Sequence, residues 1–215
     1  MTIGSTARAQ DVDFGVTTGF QFASWGAFDI PNSGFRLGLV LGGHASVFLN
    51  DRLVIKPALL FSQKGAGFND VDGQQSGEFY SLTSDYLSVP ILAKFYMTKG
   101  LHAQAGPQFS YLIASKSKQG SEGVQADLKE REYIKPFDAG VVFGLGYEFR
   151  STFTLGLNFD VSFIDIVDDR AGLESHVRND LGWITSQDRF PIDLHNWTWQ
   201  FTFSCELVGR LLGKL

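Results

Sequence analysis

Apolar and polar residues alternate one by one along most of this chain. The stretch 137–163 shows the pattern most plainly. Phe137, Ala139, Val141, Phe143, Leu145, Tyr147 and Phe149 share one register, and Asp138, Gly140, Val142, Gly144, Gly146 and Glu148 the other. After a turn at 150–152 the pattern resumes, with Phe153, Leu155, Leu157, Phe159, Val161 and Phe163 set against Thr154, Gly156, Asn158, Asp160 and Ser162. A period of two is the strand period, because successive side chains point to opposite faces. The segment predicts a hairpin with one apolar face and one face of small, polar or charged groups.

The same alternation predicts six more strands, over 12–23, 35–49, 52–64, 85–97, 101–114 and 195–207. The connections run long, short, long, short, long, short, long. Asn50-Asp51, Thr98-Lys99-Gly100 and Arg150–Thr152 make the short ones, and 24–33, 65–83, 115–135 and 165–194 the long ones. Three prolines, Pro57, Pro90 and Pro107, fall inside strands. There a missing N–H breaks a ladder bond unless a bulge absorbs it.

Which face lies inside decides the class of protein. A soluble barrel would bury the Phe/Leu register and show water a surface of Gly, Thr, Ser and Asn, poorer in charge than the roughly 25–35% of a soluble domain. A membrane barrel reverses the two faces. Eight strands enclose an interior just wide enough for side chains, which suits the glycine-rich register better than the phenylalanines. Strands of about 12 residues, tilted near 40°, rise roughly 30 Å, enough for an apolar band about 25 Å tall. The expected fold is therefore all-β: an eight-stranded antiparallel up-and-down transmembrane β-barrel with short periplasmic turns and long extracellular loops. Its outer aromatic girdle is expected at Trp25, Tyr133, Phe137, Trp197 and Trp199, and its periplasmic rim at Tyr147, Phe149, Phe153 and Met97.

Composition agrees with that assignment. Of 215 residues, 20 are Phe and only 19% are charged. The net charge of -5 argues against a nucleic-acid partner. No apolar run approaches the roughly 20 residues of a membrane helix, and alternating strands never produce one. The single cysteine, Cys205, excludes an internal disulfide framework and falls in the outward register. Ala7-Arg8-Ala9 has the form of a secretory cleavage site, so 1–9 reads as a signal-peptide remnant or a disordered tail. The barrel is expected over 10–208 and a tail over 209–215.

Candidate chemistry lies mainly in the inward register. Asp13, Arg36, His44, Lys56, Lys94, His102, Asp138, Glu148, Asp160 and Glu206 would face the bore. Charges there are costly unless paired, so their mixed signs predict ion-pair networks that plug the barrel. Catalysis on lipid would need a histidine beside a nucleophile. His195 has Trp197 as its face-sharing neighbour, and Ser175-His176 are adjacent in a loop. Asp165, Asp168, Asp169, Asp180 and Asp188 lack calcium-loop spacing. No catalytic residue, metal or cofactor is expected. A lipid-modifying barrel enzyme and a soluble lipocalin-like carrier are the alternatives; turnover of labelled lipid separates the first, and extraction without detergent the second.

The stretches KPALLFSQKGAGF, YLSVPILAKFYMTKGLHAQAGPQFSYLIASK and FDAGVVFGLGYEF, between Lys56 and Phe149, resemble the PorT-like outer-membrane β-barrel proteins of Gram-negative bacteria. The resemblance implies an eight-stranded barrel in the outer membrane and supplies no catalytic residues. It also implies partners: outer-membrane lipid around the wall, and an envelope or secretion protein bound through the extracellular loops.

Overall fold

The computed structural model describes residues 12–25, 33–68, 80–119, 124–127, 132–149, 152–176, 178 and 194–208. The tails over 1–9 and 209–215 lie outside them, as do Asp180, Asp188, Trp183 and Phe190. Eight long strands form the wall: β1 (Val12–Trp25), β2 (Ser33–Phe48), β3 (Leu53–Phe68), β4 (Tyr80–Tyr96), β5 (Leu101–Gln119), β7 (Phe137–Phe149), β8 (Phe153–Ser162) and β9 (Asn196–Val208). A short β6 (Val124–Asp127) pairs with the far end of β5, where the sequence predicts only loop. Neighbours pair antiparallel, and the β4–β5 ladder together with β1–β9 closes the sheet into a barrel. Closure leaves the wall no edge strand, which is the condition for crossing a bilayer with strands.

Short turns define one end of the barrel. Asn50 Oδ1 accepts from the amides of Arg52 and Leu53, both at 2.9 Å, which tightens the β2–β3 turn. Gly100, at φ +98, completes the β4–β5 turn in a conformation that favours glycine. At the other end the strands run beyond their expected limits. β3 continues to Phe68, β4 begins at Tyr80 and β5 reaches Gln119. A helical turn, α1 (Arg170–Ser175), sits among the loops there, capped by Asp169, whose carboxylate accepts from Gly172 N at 3.0 Å.

The facing follows the alternation. Phe14, Leu37, Phe143, Leu145 and Leu155 are each more than half exposed on the outer surface. Phe20 stacks on its cross-strand partner Phe201 with centroids 5.1 Å apart, and Phe159 meets Trp199 at 4.5 Å. The inward register is buried and mostly polar. Inward glycines make room for the larger groups beside them: a Cβ on Gly144 would run into Asn158, and one on Gly146 into His102.

The three prolines interrupt pairing without shifting it. The β2–β3 ladder skips from His44↔Ala58 to Val47↔Ile55, the β3–β4 ladder from Pro57↔Ile91 to Leu60↔Ser88, and the β4–β5 ladder from Pro90↔Gln108 to Ala93↔Ala105. Register is the same on both sides of each gap, so the missing N–H groups cost pairs and need no bulge.

Candidate functional site

The bore is built in layers, with the polar ones toward the turn end. Beside the β4–β5 turn, Lys94 Nζ donates to Glu148 at 3.0 Å, and the Tyr96 hydroxyl donates to the same carboxylate. His102 Nδ1 lies 3.2 Å from the Gly100 carbonyl, and its ring is 5.4 Å from that of Tyr96. Across the bore, His44 Nε2 is 3.1 Å from Glu206, which also accepts from Ser46 at 3.2 Å. His44 Nδ1 shares a hydrogen bond with Thr17, which in turn bonds Ser204. Lys56 Nζ donates to Ser204 at 3.2 Å, so strands β1, β2, β3 and β9 are joined through one cluster. Asp13 is buried at this end.

Higher in the bore, Gln104 donates to Asn158 at 2.5 Å, and Asn158 donates to Thr202 at 3.4 Å. The layer above holds Lys64, which is 1% exposed and lies 2.7 Å from Asp160 and 3.7 Å from Asp138. Gln108 donates to Asp160 at 2.6 Å, while Asn196 at 2.9 Å and Ser162 both donate to Asp138. The Lys64 ammonium also lies 5.6 Å from the Tyr86 ring. One cation is thus shared by two carboxylates whose remaining lone pairs are filled by amide and hydroxyl donors, the condition for keeping charges in a dry interior. Arg36 stands apart, half-buried toward the loop end, with Nη1 enclosed and unpartnered among the described residues.

Above the ions the bore turns apolar. Trp25, Ala66, Leu82, Tyr86 and Leu112 from the wall pack with Ile134, Ile166, Val167, Leu173 and Leu194 from the loops. The loop after β6 and the loop after β8 pair over the opening, through the Ile134↔Val167 bridge and the bond from Lys135 N to Ile166 O at 2.8 Å. Asp165 fastens them, accepting from Leu194 N at 3.0 Å and from Arg170 at 2.8 Å. His176, at the end of α1, reaches Ser117 on β5 at 3.2 Å.

Two girdle expectations are corrected by this plug. Trp25 is 1% exposed and points into the bore, because it continues the inward register of Gln21 and Ala23. Tyr133 packs against the plug and, at 6.1 Å, against His176 instead of facing outward. Phe137, Tyr147, Phe149, Phe153 and Trp199 are exposed on the outer face, with Trp197 half-buried against Phe159. Lys64 and the apolar plug go beyond the sequence expectations, although Lys64 shares the even register of Lys56 and Ser62.

No relay for catalysis is assembled among the described residues. His195 Nδ1 has no hydrogen-bond partner among them, and the Ser117–His176 pair is buried beneath the loops. No group of acidic, histidine or cysteine side chains among them could hold a metal ion. A cavity of about 40 Å3 remains mid-bore, lined by Thr17, Lys56, Gln108, Asn158, Gln200 and Ser204 among others. Since a water needs roughly 10–15 Å3, it has room for water but not for a solute.

Wall, bore and plug together define a closed transmembrane β-barrel whose interior is occupied by its own side chains. A family model described as the outer membrane protein beta-barrel domain matches residues 8–168, and the chain belongs to that family. It is a protein of the outer membrane, so the turn end is periplasmic and the loop end extracellular. Among solved structures the chain is similar to Neisserial surface protein A at 12% identity and a TM-score of 0.48, over 90% of this chain and 97% of that one. It is similar to the attachment invasion locus protein Ail of Yersinia pestis, solved with the heparin analogue sucrose octasulfate, at 11% identity and a TM-score of 0.44, over 92% and 99%. The third, OprG from Pseudomonas aeruginosa, has 9% identity and a TM-score of 0.43, over 92% and 97%. No curated protein matches the chain.

Proposed function

We propose that this protein is a non-enzymatic outer-membrane barrel with a filled bore, acting as a rigid mount for surface loops that bind a partner protein or ligand. The observation behind this reading is the combination of an ion-pair network and an apolar plug in one barrel. A conduit has no use for a dry cluster of Trp25, Leu82 and Leu112 across its mouth, whereas a mount gains stiffness from it. The PorT-like resemblance of 56–149 favours a partner in secretion or envelope assembly.

Planar-bilayer recording tests the sealed bore: the purified protein gives no large steady conductance, and a porin-sized current refutes the reading. Labelled phospholipid and lipid A test the absence of catalysis. Neither is turned over, and turnover abolished by His195→Ala would convert the protein into an enzyme. Pull-down of wild type from native membranes should recover an envelope protein, and replacing 69–79 by a short Gly-Ser connection should leave the barrel inserted and abolish that recovery. Retention of that protein would exclude this loop as its binding surface.

A further inference from the structure

Lys56 differs from the other lysines of the bore in having no carboxylate beside it. Lys64 lies against Asp160 and Asp138, and Lys94 against Glu148. Lys56 is 9% exposed, and its one side-chain hydrogen bond among the described residues goes to Ser204 at 3.2 Å. Glu206 and Glu148, in the same half of the bore, are held by His44 with Ser46 and by Lys94 with Tyr96. Neither makes an ion pair with Lys56. Two ammonium N–H groups of Lys56 are thus left over, and the residue lines the mid-bore cavity of about 40 Å3. Gln200, on the β9 side of that cavity, is 4% exposed, and its carboxamide has no hydrogen-bond partner among the described residues. The amides of Gln104, Gln108 and Asn158, which line the same cavity, all donate to a neighbour.

We propose that this cavity is a halide site, which holds one monatomic anion of the size of chloride between the Lys56 ammonium and the Gln200 amide. Two needs select that chemistry. A buried cation requires a counter-charge close by, and a buried amide requires a hydrogen-bond acceptor; one anion supplies both. Water would satisfy the amide and leave the charge of Lys56 without a partner. Size narrows the choice further. The cavity is too tight for a molecular solute, but it exceeds the roughly 10–15 Å3 that a water needs, and a halide ion is only slightly larger than water. The ion joins β3 to β9 across the bore through charge-assisted hydrogen bonds. It sits inside the wall, so the site does not depend on what the loops bind.

The test is anomalous diffraction from the full chain, refolded and crystallised with sodium bromide in place of chloride. Heat-shifted electrophoretic mobility checks that each variant is folded. Wild type shows one bromine peak in the cavity, within hydrogen-bond distance of Lys56 Nζ and the Gln200 amide. At subsaturating bromide, Lys56→Gln and Gln200→Leu each lower its occupancy about tenfold. Lys99→Gln, which removes an exposed cation from the β4–β5 turn, leaves it unchanged. Should Lys56→Gln fail to fold, Lys56→Met reads the same charge. Density in the cavity without an anomalous signal, bromine on the outer surface alone as an adventitious ion only, equal loss in Lys99→Gln, or a peak kept in full by either cavity variant overturns the proposal.

Discussion

Lys64 lies between two carboxylates deep in the bore and is 1% exposed. Its worth is set by what its removal leaves behind. Lys64→Met strands Asp160 and Asp138 without a counter-charge, and breaking a buried pair in this way costs about 3–5 kcal/mol. Reversible denaturant unfolding from lipid vesicles measures it; a cost under about 1 kcal/mol, the range of exposed pairs, would mean that the layer is wet. On the opposite side of the wall, Leu157 is 39% exposed in a groove it lines with Phe143, Leu145, Phe159 and Trp199 and without any charged residue. Leu157→Arg should cost about 2–4 kcal/mol in the same assay if that face meets lipid. A near-neutral result would place Leu157 in water.

At the scale of elements, the wall is uneven. The proline gaps lie in three adjacent ladders, β2–β3, β3–β4 and β4–β5, whereas β7–β8 and β8–β9 pair without interruption. Fewer ladder bonds mean cheaper local opening. Hydrogen exchange in detergent should therefore be faster at 45–46 and 91–92 than at 156–159, and equal protection would show that the gaps are bridged. The alternation made every wall strand and its facing legible, because one period encodes both. It does not encode where a strand stops. Carried two residues beyond 23 and 64, the same register places Trp25 and Ala66 inside, but a tryptophan next to a loop also fits an interfacial girdle. The half of the plug from Ile134, Ile166, Leu173 and Leu194 was not legible at all. Those residues meet through contacts between distant loops, which no local period records.

For the molecule as a whole, two kinds of surface are held apart by a wall one residue thick. Outside, large apolar side chains stand against acyl chains; inside, ions, amides and a hydrophobic stopper fill the space that eight strands leave. The proposed scaffold function rests on that division. Brominated acyl chains, which quench indole on contact, test it most directly. In variants keeping a single tryptophan, Trp199 should be strongly quenched in vesicles of brominated lipid, and Trp25 should emit as it does in the unbrominated bilayer. Quenching of Trp25 with Trp199 unaffected would turn the barrel inside out and contradict the account.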